Sequence, residues 1–196
     1  KDAKIVAIKV CNNASSAACA TADVISAINW CANNATKYNI SVISMSIGGG
    51  GPYNTYCNDD AIAPAINSAV GKNISVAIAA GNNGFTNGIS SPACVQNATS
   101  VGAVSDSDGI QYNRGSILDL LAPGQTITAP YFGGGTTSLS GTSMSTPHGA
   151  GAIALFRQYY RLAYTLTPTP DEIEYKLKIS GKFIDDSSGS GKNYSR

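Results

Sequence analysis

The chain has 196 residues, of which 43% are hydrophobic and 13% charged, and its formal net charge at pH 7 is +1. This length fits one domain with a buried core. The balanced charge argues against a surface for nucleic acid or anionic membranes, and no apolar run approaches the ~18 residues that span a bilayer.

The first half of the chain alternates apolar runs with helical patterns. The apolar runs predict strands at 3–10, 41–47, 74–80 and 101–104. Helical spacing predicts helices at 21–38 and 59–71, with Gly71 as a C-cap. Because the strands are apolar nearly throughout, they are typical of a parallel sheet that is buried on both faces. The sequence therefore predicts an α/β layer fold built from strand–helix–strand units.

The second half is more irregular. It predicts short strands at 117–121 and 126–129, a long helix at 142–162, a helix at 170–179 and a polar tail at 185–196. Glycine-rich loops at 48–51 and 81–84 directly follow predicted parallel strands. Since ligands bind beyond the carboxyl ends of such strands, we expect the functional site near these two loops.

The chain contains five cysteines and one histidine, and none of the cysteines forms a Cys-x-x-Cys pair. One histidine cannot complete a Cys/His zinc site, so we expect disulfides formed in an oxidising compartment. Loop-like surroundings favour the pairs Cys11–Cys19 and Cys57–Cys94, with Cys31 left over, although spacing alone leaves other pairings open. Together with low charge and several Asn-x-Ser/Thr sequons, this predicts a secreted or cell-surface protein.

The most informative stretch is Gly-Thr-Ser-Met-Ser-Thr-Pro-His at 141–148. The helix signal places Ser143 at a helix N-terminus, where free N–H groups and the dipole favour negative charge. Pro147 is expected in the first helical turn, where its missing N–H costs nothing. On capping alone, an ordinary Ser/Thr helix start is a better explanation of the pattern than a nucleophile.

This stretch closely resembles the serine motif of the subtilisin-like serine proteases (subtilases), which usually have Ala where Ser145 stands. Two further segments resemble family motifs: Ala-Ala-Gly-Asn-Asn-Gly at 79–84 looks like the oxyanion-hole segment, and Ser-Ile-Gly-Gly at 46–49 like one wall of the specificity pocket. The order and spacing of these motifs agree with those of the family along nearly all of the chain. The resemblance implies a three-layer subtilisin-like α/β fold with a mainly parallel central sheet.

The resemblance also implies roles for particular residues. Ser143 would be the nucleophile, and the Asn82 amide with the Ser143 N–H would stabilise the oxyanion. The substrate would lie between two walls, which are formed by Ser46, Ile47 and Gly48 and by Ala79, Ala80 and Gly81. Small residues on both walls predict a pocket for large apolar side chains. A turn asparagine that tolerates a left-handed backbone is the simpler alternative for Asn82.

A serine protease of this type also needs a general base and an acid that orients it, and neither is recognised among the motifs of this sequence. The only histidine, His148, occupies the structural histidine position of the serine motif. Nothing in the chain resembles the Asp- and His-bearing segments of subtilases, and the family's final strand is also missing. Residues 1–196 are therefore expected to form one partial catalytic domain, about the C-terminal two-thirds of the family's.

Two accounts fit these residues. In the first, the chain is part of a secreted endopeptidase whose Asp and His lie outside it. In the second, it is a catalytically inactive subtilase-like fragment that acts as a binding module. The expected partners are polypeptide substrates and a propeptide or the missing N-terminal part of the same domain, with no nucleic acid and no membrane span. No cofactor is expected; family members often bind structural calcium, but no loop here can be assigned to it.

Overall fold

The computed structural model describes residues 3–12 and 18–196. Its first half contains α1 (Thr21–Asn33), α2 (Ala35–Tyr38), β1 (Val42–Met45), β2 (Gly49–Tyr53), α3 (Ala63–Gly71), β3 (Ser75–Ala79) and β4 (Ile89–Ser91). Its second half contains β5 (Thr99–Val104), β6 (Leu120–Pro123), β7 (Ile127–Pro130), β8 (Thr136–Leu139), α4 (Thr142–Tyr164), α5 (Pro170–Ser180), β9 (Phe183–Asp186) and β10 (Lys192–Ser195).

A four-stranded parallel sheet organises the molecule, with the strand order β1-β3-β5-β6. Every residue of β3 and β5 is buried, as expected for central strands covered on both faces. Three antiparallel pairs, β2 with β4, β7 with β8 and β9 with β10, lie outside this sheet. Parallel strands end at a common edge, so the carboxyl ends of β1 and β3 lie side by side.

Alternate residues of β3 pack into two separate cores. Val76 and Ile78 belong to the core that includes residues of α1 and α3. Ala77 packs instead with Ile153 of α4 and Ile173 of α5. Because successive side chains of a strand point to opposite faces, helices cover the sheet on both sides. The predicted three-layer α/β architecture is therefore confirmed.

The strand predicted at 3–10 is wrong. These residues form no regular secondary structure, and Ile5 is 90% exposed. An apolar run becomes a strand only when a neighbouring strand satisfies its N–H and C=O groups. The backbone groups of 3–10 do not pair with β1, which is the edge of the parallel sheet among the described residues.

Other elements differ from the prediction in their bounds. The helix predicted at 21–38 breaks at Asn34 into α1 and α2. The helix predicted at 59–71 begins only at Ala63, because the Asp60 carboxylate accepts the N–H of Ile62 in a turn. Gly71 is the last residue of α3 rather than its C-cap, a position that Lys72 occupies.

Two segments predicted as irregular contain strands. The glycine-rich stretch 48–51 runs into β2, which pairs with β4. The polar tail forms the β9–β10 hairpin, where Ile184 and Tyr194 are buried. Both pairs are stabilised by contacts between distant parts of the chain, which local composition does not reveal.

Both predicted disulfides are present, Cys11–Cys19 and Cys57–Cys94. The loop between the first pair includes 13–17, which lie outside the described residues. Cys31 carries a free thiol, as predicted, and burial in the core raises its pKa. A buried, mostly protonated thiol is a poor nucleophile, so the structure gives Cys31 a packing role.

The C-terminal hairpin is tied to the core by an ion pair that should make the protein acid-labile. The Arg114 Nε–Asp186 Oδ2 distance is 2.7 Å, and the two side chains are 10% and 11% exposed. Burial opposes ionisation of Asp186, but hydrogen bonds from Arg114 and Ser190 outweigh it and lower its pKa. The ionised carboxylate therefore stabilises the fold above the ordinary pKa of an aspartate, and this stabilisation is lost as the pH falls through the lowered pKa.

We expect Asp186→Asn to lower the free energy of unfolding at neutral pH by about 3 kcal/mol, because it leaves Arg114 buried without its counter-charge. The difference from the unmodified protein should shrink as the pH falls below the ordinary aspartate range. Thermal melting at a series of pH values measures both effects. Asp185→Asn, on the exposed face of the same strand, is the control and should change little at any pH. An Asp186→Asn deficit that stays constant with pH would contradict this role.

Candidate active site

Ser143 lies in the first turn of α4, which begins at Thr142 with Gly141 as N-cap. It is half-buried, and its N–H belongs to the turn in which no preceding carbonyl can serve as acceptor. Thr142 is buried, and its carbonyl accepts the hydroxyls of Ser145 and Thr146. The hydroxyl that Ser145 adds to the family pattern is thus buried and satisfied.

Pro147 is the sixth residue of α4, so its predicted place in the first turn is wrong. A proline there cannot donate to the carbonyl four residues earlier, which is that of Ser143. The Ser46 hydroxyl fills this gap by donating to Ser143 O at 2.9 Å. In return, the Ser143 hydroxyl lies 3.5 Å from the carbonyl oxygen of Ser46. The segment after β1 therefore holds Ser143 directly.

We expect Ser46→Ala to lower the free energy of unfolding by about 1 kcal/mol, because the Ser143 carbonyl loses the hydroxyl that donates to it. In a Pro147→Ala background, the alanine supplies the helical N–H that proline lacks, and the same Ser46→Ala substitution should cost much less. Denaturant unfolding of the four proteins of this double-mutant cycle measures the difference. Equal costs in the two backgrounds would show that Ser46 does not replace the missing helical bond.

Asn82 follows β3, and its side-chain amide oxygen is hydrogen-bonded to the start of α4. Its Oδ1 accepts the backbone N–H of Thr142 at 2.8 Å and the Thr142 hydroxyl at 2.9 Å. The Thr142 hydroxyl oxygen also accepts the N–H of Gly81 at 3.1 Å. Within the described residues, the Asn82 Nδ2 donates to no acceptor. An exposed amide N–H₂ is thus presented beside the first turn that contains Ser143.

The two predicted walls lie at the carboxyl ends of two neighbouring strands, since β1 ends at Met45, β3 ends at Ala79 and the two strands pair. On the first wall Ser46 and Gly48 are exposed and Ile47 is half-buried. On the second, Ala79 and Ala80 are buried and Gly81 is partly exposed. A Cβ on Gly48 would lie 2.9 Å from Ser91 O and 3.6 Å from Ala79 O, so the walls approach each other closely where Gly48 stands.

Sequence analysis missed Asn113 and Ser90, which lie beneath these walls. Both are fully buried, and the Asn113 Nδ2 donates to Ala80 O and to the Ser90 hydroxyl oxygen, each at 3.0 Å. Neither residue belongs to a motif that was recognised. The only signal is a polar residue among neighbours that the fold buries, and the sequence alone does not reveal that burial.

His148 lies on the exposed side of α4. Its Nδ1 is 2.8 Å from the carbonyl oxygen of Met144, one turn earlier in the same helix. Because a carbonyl only accepts, this nitrogen carries the ring proton and is turned toward its own helix. This geometry supports a structural role for His148.

Neither a metal centre nor a membrane span is found in the part of the chain that the structure describes. No group of three or more His, Cys, Asp or Glu side chains in 3–12 and 18–196 could hold a metal ion, so no calcium site is assigned. In the same ranges, no helix is both long and apolar enough to cross a membrane.

Comparison with known proteins agrees with the motifs. A model of the Subtilase family matches residues 1–180. "Subtilisin-like protease 1" of Arthroderma otae is 40% identical over 156 residues, which are 77% of this chain and 30% of that protein. The "Extracellular serine proteinase" of a Thermus species is 36% identical over 171 residues, 85% of this chain and 37% of that protein. The chain thus spans about a third of the length of these relatives.

Solved structures show the same relationship. A "cold adapted subtilisin-like serine proteinase" superposes with a TM-score of 0.76 and 34% identity, over 92% of this chain and 63% of that one. The prenylagaramide maturation protease PagA superposes with a TM-score of 0.73 and 26% identity, over 86% of this chain and 60% of that one. The fold, the serine motif at the start of α4 and the family match agree: the chain belongs to the subtilase family of serine proteases.

Proposed function

We propose that residues 1–196 form the serine-bearing part of a secreted serine endopeptidase, a single partial catalytic domain. The observation that carries this proposal is the pairing of Asn82 with the start of α4. With Oδ1 held by Thr142, Nδ2 is left to donate beside the N–H of Ser143. Two N–H donors at one point, next to a serine hydroxyl, suit the stabilisation of a tetrahedral oxyanion.

In this mechanism, the Ser143 Oγ attacks the scissile carbonyl carbon and loses its proton to a histidine outside this chain. The negative charge that develops on the carbonyl oxygen is stabilised by Asn82 Nδ2 and the Ser143 N–H. Collapse of the intermediate breaks the C–N bond, the histidine protonates the leaving amine, and an acyl-enzyme remains on Ser143. Water then attacks the ester, and Ser143 recovers its proton.

The substrate is proposed to lie as an added strand along Ser46, Ile47 and Gly48, with Ala79, Ala80 and Gly81 opposite. Hydrogen bonds to the main chain of the substrate do not depend on the substrate's sequence. The pocket between the walls therefore determines which substrate side chains are preferred. The small residues on both walls favour large apolar side chains. If a peptide library were cleaved preferentially where Asp or Lys enters this pocket, the expected selectivity for large apolar side chains would be wrong.

Secretion is supported by the two disulfides and by a relative that is named extracellular. The proposed partners are polypeptide substrates, together with a propeptide or the rest of the same catalytic domain. No organic cofactor is needed for the proposed steps, because serine, amide and imidazole groups perform all of them.

The alternative is a catalytically inactive subtilase-like binding module, and one experiment separates the two. The intact mass of the native protein is measured before and after treatment with a fluorophosphonate probe. We expect a mass larger than that of 1–196 and a single label on Ser143, which is absent in Ser143→Ala. A native mass equal to these residues, with Ser143 unlabelled, would establish the inactive alternative.

A further inference from the structure

Residues 113 and 114 hold both ends of the loop that carries Asn82. At its beginning, the backbone N–H of Asn113 donates to Gly81 O at 3.2 Å. At its end, the N–H of Phe85 donates to the Asn113 Oδ1 at 3.1 Å, and Arg114 N donates to Phe85 O at 2.8 Å. The loop 81–85 is therefore fixed to one short segment on either side of Asn82.

The Asn113 side chain also joins this loop to the two walls. Its Nδ2 donates to Ala80 O and to the Ser90 hydroxyl, which in turn donates to Gly50 O at 3.0 Å. Asn113 and Ser90 are both 0% exposed. A buried polar network in which every member is satisfied is rigid, because breaking any bond leaves an unpaired group without water.

The opposite side of the loop is held by α4. Thr142 fixes Asn82 Oδ1 through two hydrogen bonds and Gly81 N through a third. The loop is thus suspended between the helix that carries Ser143 and the segment that contains Asn113. If the Asn113 side chain is lost, the Phe85 N–H loses its acceptor and Ala80 O loses one donor, whereas the bonds of Thr142 and the backbone bonds of residues 113 and 114 remain. The loop is then held less tightly on the side opposite Thr142, and Asn82 can shift.

We propose that Asn113 is a positioning residue, which fixes the distance between the Asn82 Nδ2 and the Ser143 N–H without touching the substrate. This inference rests on the proposed function. It predicts that Asn113 affects turnover through Asn82, and not through the stability of the domain. A displacement of about 1 Å at a reacting group can cost up to 10²-fold in rate.

The test is a double-mutant cycle of Asn113→Ala with Asn82→Asp in the full-length protein, with steady-state kinetics on a chromogenic peptide. Asn113→Ala is expected to lower kcat about 10-fold or more with little change in KM. In the Asn82→Asp background, the same substitution should have almost no further effect, because the donor that it positions is already gone. The control is Ser100→Ala, because Ser100 is also 0% exposed and its hydroxyl bonds to Asp119 and Ile117, neither of which belongs to the loop.

Ser100→Ala should lower the melting temperature about as much as Asn113→Ala and leave kcat unchanged. An Asn113→Ala protein with normal kcat, or with the same loss in both backgrounds, would overturn the inference. If Asn113→Ala does not fold, Asn113→Ser keeps a hydroxyl in the network and is measured instead. Should neither fold, Asn113 serves folding and the inference is overturned. If the fluorophosphonate probe does not label Ser143, the proposed function is overturned together with this inference. If turnover depends on Asn82 but not on Asn113, only this inference is overturned.

Discussion

Asn82→Asp is expected to lower kcat by about 10²–10³-fold, the magnitude measured in subtilisin itself for loss of one oxyanion-hole donor. The substitution is nearly isosteric, so the remaining oxygen still accepts the N–H and hydroxyl of Thr142. What it removes is the Nδ2 donor. The fold should therefore persist while the developing oxyanion loses a hydrogen bond and faces a carboxylate instead.

Asn83→Asp is the matched control for this prediction. It adds the same charge one residue along the same exposed loop, without touching Thr142. Steady-state kinetics on one peptide substrate and a thermal melt of each variant complete the comparison. If the two variants had the same kcat, the loss would be an effect of charge near the site, and Asn82 would have no role as a donor.

Gly81→Ala is expected to lower the free energy of unfolding by about 3 kcal/mol or more. Gly81 has a φ of +102°, in the region that side chains rarely adopt. A Cβ there would also come closer than 3.0 Å to the Asn113 amide and to the Ser90 side chain, closer than real Cβ atoms approach. Because both neighbours are fully buried and hydrogen-bonded, they cannot move aside without breaking the network beneath the walls.

Gly84→Ala isolates the backbone part of this cost. Gly84 has a φ of +76°, but a Cβ there would find only Gln111 O, at an ordinary 3.7 Å. Its substitution should cost about 1–2 kcal/mol, the penalty of a left-handed backbone alone. Denaturant unfolding measures both variants. Equal losses would show that the space beneath Gly81 is not tightly filled.

The parts of the site that were predictable are those that local sequence determines. A serine before a helical pattern predicted Ser143 at a helix N-terminus, and a glycine-rich loop after an apolar strand of a parallel sheet predicted the site near Asn82. The motif resemblance added the roles that we propose for them. All of these signals lie within a few residues of the groups concerned, so they can be recognised without knowledge of the fold.

Asn113 could not be predicted because its partners are distant along the chain. Its side chain bonds to residues 23, 28 and 33 positions away. The same reason hid the C-terminal hairpin, where Asp186 is paired with Arg114 over a separation of 72 residues. The wrong prediction of a strand at 3–10 has a related cause. The apolar pattern of this segment fits a strand, but a strand also needs a neighbouring strand to pair with, and a local pattern does not specify one.

The Cys57–Cys94 disulfide closes a ring of chain that contains α3, β3, β4 and Asn82. In the chain-entropy model, a closed loop of 37 residues stabilises the fold by about 4 kcal/mol. The ring also determines how damage to the molecule can be detected. Exposed turn residues such as 82–84 are preferred places for proteolytic nicking, and a single cut between 58 and 93 leaves both fragments covalently joined. A nicked preparation would therefore look intact on a non-reducing gel, and only reduction would separate the two fragments.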